Sequence, residues 1–192
     1  MLLKPALLII LLCTALSTFA QEEPRIAWKA DKPLQWTDFE GPVDETSTFA
    51  ASTNSGMNYK WHMESHMSNM TFQFTVYSYM DKSKSWTRPD KQSEALLKHE
   101  QLHFDISEYF SRQLLKAFNS HTYTSNYRTE INDIFQQLSQ ARKQMEETYD
   151  AQSNHSRNKL MQAQWELYIN NLLSNNTGLE DALKSEPIAQ SR

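Results

Sequence analysis

"LLKHEQLHFDISEYFSRQLLKAF", residues 96–118, decides how the rest of the chain can be arranged. Its apolar residues recur at helical spacing, and two histidines, His99 and His103, stand four residues apart within that pattern. Positions four apart in a helix lie about 40° from each other on the same face. The two imidazoles are therefore predicted to lie side by side, at the centre of the buried face of a long helix.

Two neighbouring imidazoles that leave water must each find a partner, and a bound Zn²⁺ ion would satisfy both. Glu100 lies about 100° around the helix from His99, where it is a poor ligand but can reach a metal-bound water as general base. The pattern H-E-x-x-H has this meaning in zinc metallopeptidases. The structural alternative is a pair of core histidines that bond to nearby carboxylates or carbonyls.

The sequence around this helix predicts an α+β domain. Before it, "LQWTDFEG" (34–41) is typical of a short strand, and two longer strands are expected to form an antiparallel hairpin with its turn at residues 66–68. In "FQFTVYSYM" (72–80) apolar and polar residues alternate, and we hypothesise that this strand is the edge that binds substrate beside the metal. A second helix starting near residue 124 and a third over 159–173 follow, so strands come first and helices afterwards.

The domain organisation follows from composition. Residues 1–20 have the basic start, short apolar run and small-residue end of a secretory signal peptide, so we expect a protein exported to the periplasm or secreted. Residues 21–33 are a polar lead-in, 34–174 the folded domain, and 175–192 a polar, disordered tail. The signal is too short to span a bilayer comfortably, and no stable membrane span is expected after its cleavage.

Charge and cysteine content exclude some classes of protein. Cleavage after Ala20 would remove the single cysteine and leave a net charge of about −5, without any basic run. Nucleic acid is therefore not expected as a partner. An exported chain without cysteine must build its core from packing or from metal.

A catalytic zinc needs a third protein ligand and one open position for water. The candidates lie near the end of the second helix. Glu146 and Asp150 have the spacing at which gluzincins place a metal-binding glutamate and an aspartate that orients a histidine, and His155 sits where the helix is predicted to break. The residues alone leave these alternatives open.

Several blocks of the chain resemble one family of bacterial secreted proteins. They are "LQWTDFEG", "HEQLHFDI" (99–106) and "YDAQSNHS" (149–156), and the family patterns are H-E-Q-x-H-F-D-I and Y-D-x-x-T-x-H-G. The proteins of this family share a domain of unknown function and are classed with zinc-dependent proteases of the zincin type. Tyr149, Asp150 and His155 match the second pattern, whereas Ser153 and Ser156 replace its threonine and glycine. The resemblance implies a zincin-like fold with His155 as third zinc ligand and Asp150 as a partner that holds an imidazole.

These observations predict an exported zinc metallopeptidase that hydrolyses a peptide or protein substrate. His99, His103 and His155 would hold Zn²⁺ and Glu100 would be the general base, with Asp150, Glu146 and Tyr149 as supporting residues or alternative ligands. The competing hypothesis is a catalytically inactive binding protein of the cell envelope, built on the same scaffold with a structural metal or none.

Overall fold

The computed structural model of the chain describes residues 24–67, 69–175 and 177–187. The predicted signal peptide, residues 1–20, lies outside the described residues. Five strands precede four helices, as expected for the α+β class. The strands are β1 (Arg25–Ala27), β2 (Ala51–Ser52), β3 (Ser55–His66), β4 (Asn69–Asp81) and β5 (Trp86–Thr87). The helices are α1 (Glu94–Ser120), α2 (Tyr127–Ser153), α3 (Lys159–Asn175) and α4 (Leu179–Lys184).

The predicted antiparallel hairpin is confirmed as β3 and β4, which pair from Ser55 opposite Met80 to His66 opposite Asn69. β1 adds a short third strand to the outer edge of β4, and β2 pairs with β5 in a separate two-stranded ribbon. The alternation along the hairpin directs one row of aromatic and apolar side chains towards the helices. That row contains Tyr59, Trp61, Phe72, Phe74 and Val76, which pack against the main core.

α1 is the element around which the core forms. Its first turn is capped by the Ser93 hydroxyl, which accepts a hydrogen bond from the Leu96 amide at 3.1 Å. Ile106, Phe110 and Leu114 are fully buried, against side chains of α2 and α3 such as Trp165. The helical spacing in the sequence therefore identified both the helix and its buried face.

Residues 34–41 were predicted to be a strand, and that prediction is wrong. Trp36–Asp38 forms a single 3-10 turn, closed by a hydrogen bond from the Gln35 amide to the Asp38 carboxylate at 2.8 Å. A local side-chain acceptor thus competes with strand formation. Leu34 and Phe39 on either side of the turn are nevertheless buried, because they pack against Phe104 on α1.

Both ends of the described chain are more ordered than the sequence indicated. The lead-in contains β1, which pairs with residues 79–81 of β4. The segment expected to be a disordered tail contains α4, where Ala182 is fully buried and its carbonyl accepts a hydrogen bond from the Tyr168 hydroxyl at 2.7 Å. Among the described residues, no helix combines the length and apolar character needed to cross a membrane.

The docking of α4 can be tested with a pair of matched substitutions. Ala182→Glu should lower the free energy of unfolding by at least about 1 kcal/mol, because it forces a charge into a packed position. Leu183→Glu, at a neighbouring half-exposed position, should have little effect. Urea unfolding together with amide hydrogen exchange of residues 179–184 measures both. Equal results for the two variants would mean that α4 does not dock in solution.

Candidate metal centre

α1 and α2 bring three ligand-bearing side chains to one point. The Nε2 atoms of His99 and His103 lie 3.2 and 3.1 Å from the same oxygen, Oδ1 of Asp150. Side-chain atoms of these three residues that could bind a metal all lie within 4.8 Å of one another. The structure therefore confirms that the two histidines share one face of α1, and it adds Asp150 from the last turn of α2.

The two histidine–Asp150 separations are close to those between ligands of a zinc ion. Ligands at about 2.0–2.1 Å from zinc in a tetrahedral arrangement are about 3.3 Å apart. Asp150 Oδ1 is also buried, and no N–H or O–H group is aimed at it well enough to form a hydrogen bond, although two imidazole nitrogens adjoin it. A buried carboxylate oxygen in this position needs a positive charge beside it, either a protonated imidazole or a metal ion. These residues therefore fit a bound zinc ion.

Hydrogen bonds on the far side of His99 fix its protonation pattern. Its Nδ1 lies 3.2 Å from Oε1 of Gln162, an oxygen that also accepts a hydrogen bond from the Tyr149 hydroxyl at 2.7 Å. The amide nitrogen of Gln162 donates to Glu166, which establishes the orientation of the amide. Because Oε1 can only accept, Nδ1 of His99 carries a proton, and the ring is held with Nε2 towards Asp150.

Asp150 and His103 each stabilise the charged form of the other. Burial disfavours the charged form of His103, but Asp150, Glu100 and Glu146 outweigh burial and raise its pKa to about 9. Burial likewise disfavours the Asp150 carboxylate, yet the two histidines hold the pKa of Asp150 well below its usual range. The side chains thus form an ion pair in the absence of metal, and a metal ion that binds here must displace the proton of His103.

Glu100 lies beside this group in a cleft of about 690 Å³. Its side chain is buried, and Oε2 accepts a hydrogen bond from the Thr53 hydroxyl at 2.7 Å. Thr53 belongs to residues 49–55, which form the cleft wall opposite α1 and the end of α2. Among the described residues, the hairpin contributes Ser55 of β3 to the cleft lining and β4 contributes none, so residues 72–80 themselves do not line the cleft. That the hairpin supplies a substrate-binding edge stays a prediction.

His155, the ligand implied by the family resemblance, lies next to the group of three but outside it. Its Nδ1 is 3.5 Å from Asp150 Oδ1, its side chain is 37% exposed, and its ring packs against Phe49 at a centroid distance of 4.5 Å. Residues 154–156 all have positive φ, so His155 sits in a left-handed turn directly after α2. Its role as a zinc ligand stays a prediction.

The other candidate residues have defined contacts. Oε1 of Glu146 pairs with the Arg142 guanidinium at 2.6 Å, and this carboxylate lines the cleft wall. Burial raises the pKa of Glu146 despite that pair. The buried ring of Tyr149 contacts both imidazoles, with centroid distances of 4.7 Å to His99 and 5.2 Å to His103. Tyr149 therefore supports the two histidines, whereas Glu146 is occupied by Arg142.

The remaining polar residues of "HEQLHFDI" have a different task. Gln101 accepts a hydrogen bond from the Leu34 amide at 2.7 Å, and Asp105 accepts one from the Trp28 indole at 2.7 Å. These bonds tie the N-terminal segment to the face of α1 that points away from the cleft. The block thus contains two sets of polar residues, one for the site and one that holds the chain leading into the domain.

Gln162 was missed by the sequence analysis. The signal that could have identified it is its position on α3, where it falls among the buried residues Met161, Trp165 and Ile169. A polar residue on a buried helical stripe must have a hydrogen-bond partner. The sequence does not show that this partner is His99, which lies 63 residues earlier on another helix.

Fold and site together define an α+β protein with an antiparallel sheet followed by helices and a candidate metal centre between the first two long helices. Residues 31–156 match the family described as "Bacterial protein of unknown function (DUF922)", and the chain belongs to this family. No curated protein and no solved structure is significantly similar to the chain. α3, which carries Gln162, follows the matched residues.

The hydrogen bond from His99 to Gln162 should support metal binding. Gln162→Leu keeps the size of the side chain but removes the acceptor, and we expect zinc affinity to fall about 10–100-fold. Competition with a chromophoric chelator measures the affinity. Gln164→Leu, on the exposed face of the same helix, is the control and should leave it unchanged. Identical affinities for both variants would show that Gln162 does not orient the ligand.

Proposed function

We propose that this protein is an exported, zinc-dependent metallopeptidase with a zincin-like fold. The observation that carries the proposal is the convergence of His99, His103 and Asp150 beside Glu100 in an open cleft. The H-E-x-x-H motif on a helix supports the same reaction class. Export rests on residues 1–20, whose composition is that of a secretory signal.

Each residue has a distinct role in the proposed hydrolysis. The two imidazoles and the Asp150 carboxylate hold the ion, which when bound supplies a polarising charge and a water of lowered pKa. Glu100 accepts the proton of the attacking water and passes it to the departing amine. Thr53 holds Oε2 of Glu100, and no described residue donates a hydrogen bond to Oε1, so that oxygen is free to exchange the proton.

The cleft wall supports an extended peptide as substrate. Residues 49–55 run along it, and β2 uses only one of its edges to pair with β5. The Ala50 carbonyl is likewise bonded to the Arg88 amide on that side, at 2.8 Å. The opposite edge of β2 could therefore form backbone hydrogen bonds with an extended substrate. The protein would then bind the backbone of the peptide, whatever side chains the peptide carries.

The third ligand can be identified by metal content. We expect Asp150→Ala to lose zinc from the purified protein and His155→Ala to retain it, because only Asp150 belongs to the converging group. Zinc is measured by inductively coupled plasma mass spectrometry, and circular dichroism checks that both variants fold. Loss of zinc from His155→Ala together with retention in Asp150→Ala would reverse the assignment in favour of His155.

The general base is tested by Glu100→Gln, which preserves shape and removes the proton acceptor. We expect this variant to keep its zinc and to lose at least about 100-fold in the rate of peptide cleavage. The probe is a mixture of unstructured peptides, digested and followed by mass spectrometry. Glu94→Gln, at an exposed position on α1, is the control and should cleave normally.

The pattern of outcomes separates the competing functions. Cleavage by Glu100→Gln at the wild-type rate would reject the proposed mechanism. A wild-type protein that holds zinc but cleaves none of the peptides would instead support an inactive binding protein of the cell envelope on the same scaffold.

A further inference from the structure

The tip of the β3–β4 hairpin carries a side chain that folding alone does not explain. Met67, where β3 ends and the chain turns, is 95% exposed and has a φ of 55°. Turn positions with positive φ favour glycine, because a Cβ atom crowds the backbone there, or asparagine, whose side chain can hydrogen-bond locally. A large apolar side chain in this place is thus unfavourable in two ways, exposure and backbone conformation, and gains no burial in return.

Two further methionines lie close to Met67. In the β3–β4 register Met63 stands opposite Phe72, and Met70 stands opposite Ser65. Met63 and Met70 are therefore diagonal neighbours on the same face of the ribbon, a separation that long side chains can bridge. Met67 follows Met63 by four residues and precedes Met70 by three, so three thioethers are gathered within eight residues.

The other methionines in the described part of the chain behave differently. They are all buried members of the two hydrophobic clusters, namely Met57, Met80, Met145 and Met161. None of the three methionines at the tip belongs to either cluster. The seven methionines of the described residues thus divide into four that fill the core and three at the tip, of which Met63 and Met70 are half-buried and Met67 is exposed.

The donors at the tip are suited to a soft ion. His62, Glu64 and His66 project from the opposite face of the ribbon, because side chains alternate along a strand. Among the described residues only His99, His103 and Asp150 bring three nitrogen or oxygen ligands together, so the tip is not a second zinc-like site. The face of Met63 and Met70 also carries Ser65 and Phe72. The thioethers are the soft donors on this face, and soft sulfur ligands favour Cu(I).

We propose that the hairpin tip binds one Cu(I) ion through the thioethers of Met63, Met67 and Met70. The ligand class is a soft monovalent cation, and the site is separate from the candidate metal centre. The inference does not depend on peptidase activity. Ion binding would account for the positive φ and the exposure of Met67.

The experiment uses Ag(I), a soft monovalent ion that does not change oxidation state, added to the full chain carrying Cys13→Ser so that no thiol competes. Methionine methyl groups labelled with carbon-13 are followed by NMR. We expect the methyl signals of Met63, Met67 and Met70 to shift together and to saturate at one ion per chain. Those of Met57, Met80, Met145 and Met161 should stay in place, and zinc should not reproduce the shifts.

Substitution then assigns the ligands. The triple variant Met63→Leu, Met67→Leu, Met70→Leu keeps apolar side chains of similar size and should lose the saturable binding. Met57→Leu, on the same strand but in the core, should keep it. Binding that survives in the triple variant, or shifts confined to the core methionines, would overturn the proposal. A shift of Met67 alone without saturation would also overturn it, because it would show weak contact with a single exposed thioether.

Discussion

The arrangement of the site depends on one buried carboxylate oxygen, Oδ1 of Asp150, which lies between two imidazoles. Asp150 and the two histidines of α1 come from helices that meet only because a hydrophobic core forces them together. A buried ionic group adds little net stability, and removal of one partner leaves a charge that the interior cannot accommodate. The core therefore provides the stability, and the charged group dictates how the last turn of α2 must approach α1.

That constraint explains how α1 divides its surface. One face carries His99, Glu100 and His103 to the cleft, while Gln101 and Asp105 bind the N-terminal segment on another. Phe104 and Ile106 fill the two hydrophobic clusters between these polar regions. A block that the sequence presents as a single motif is thus three sets of residues interleaved at helical spacing. Only one of those sets lies at the candidate metal centre.

The parts of the fold that follow from local periodicity could be predicted from the sequence. Alternation along residues 69–80 and helical spacing along 96–118 each identify an element and its buried face without knowledge of the rest. The 3-10 turn at Trp36–Asp38 could not be predicted this way, because it is held by local hydrogen bonds, among them one from the Gln35 amide to the Asp38 carboxylate, that leave no periodic pattern. The docking of α4 was missed because a polar segment gives no local sign that Ala182 meets Tyr168.

The candidate site, too, could be predicted only in part from the sequence. The histidine pair is a local feature of one helix and was found, whereas the choice among Glu146, Asp150 and His155 depends on where α2 ends relative to α1. Asp150 faces the histidines because it lies on the last turn of α2, one turn beyond Glu146, which pairs with Arg142 instead. Chain continuity then moves His155 into the left-handed turn that closes the helix. A one-dimensional pattern records the spacing of these residues but not which of them meets the imidazoles.

The geometry of β3 also separates the two proposed ion sites. Ser55, at the start of β3, lines the cleft, and His66, at its end, adjoins the hairpin tip. An extended strand rises about 3.3 Å per residue, so the two ends of β3 are about 36 Å apart. The cleft offers nitrogen and oxygen donors with a carboxylate charge that favours a divalent ion, whereas the tip offers neutral sulfur that favours a soft monovalent one. Because distance and donor type both differ, occupation of one site places no direct electrostatic or steric demand on the other, and each can be studied while the other is filled.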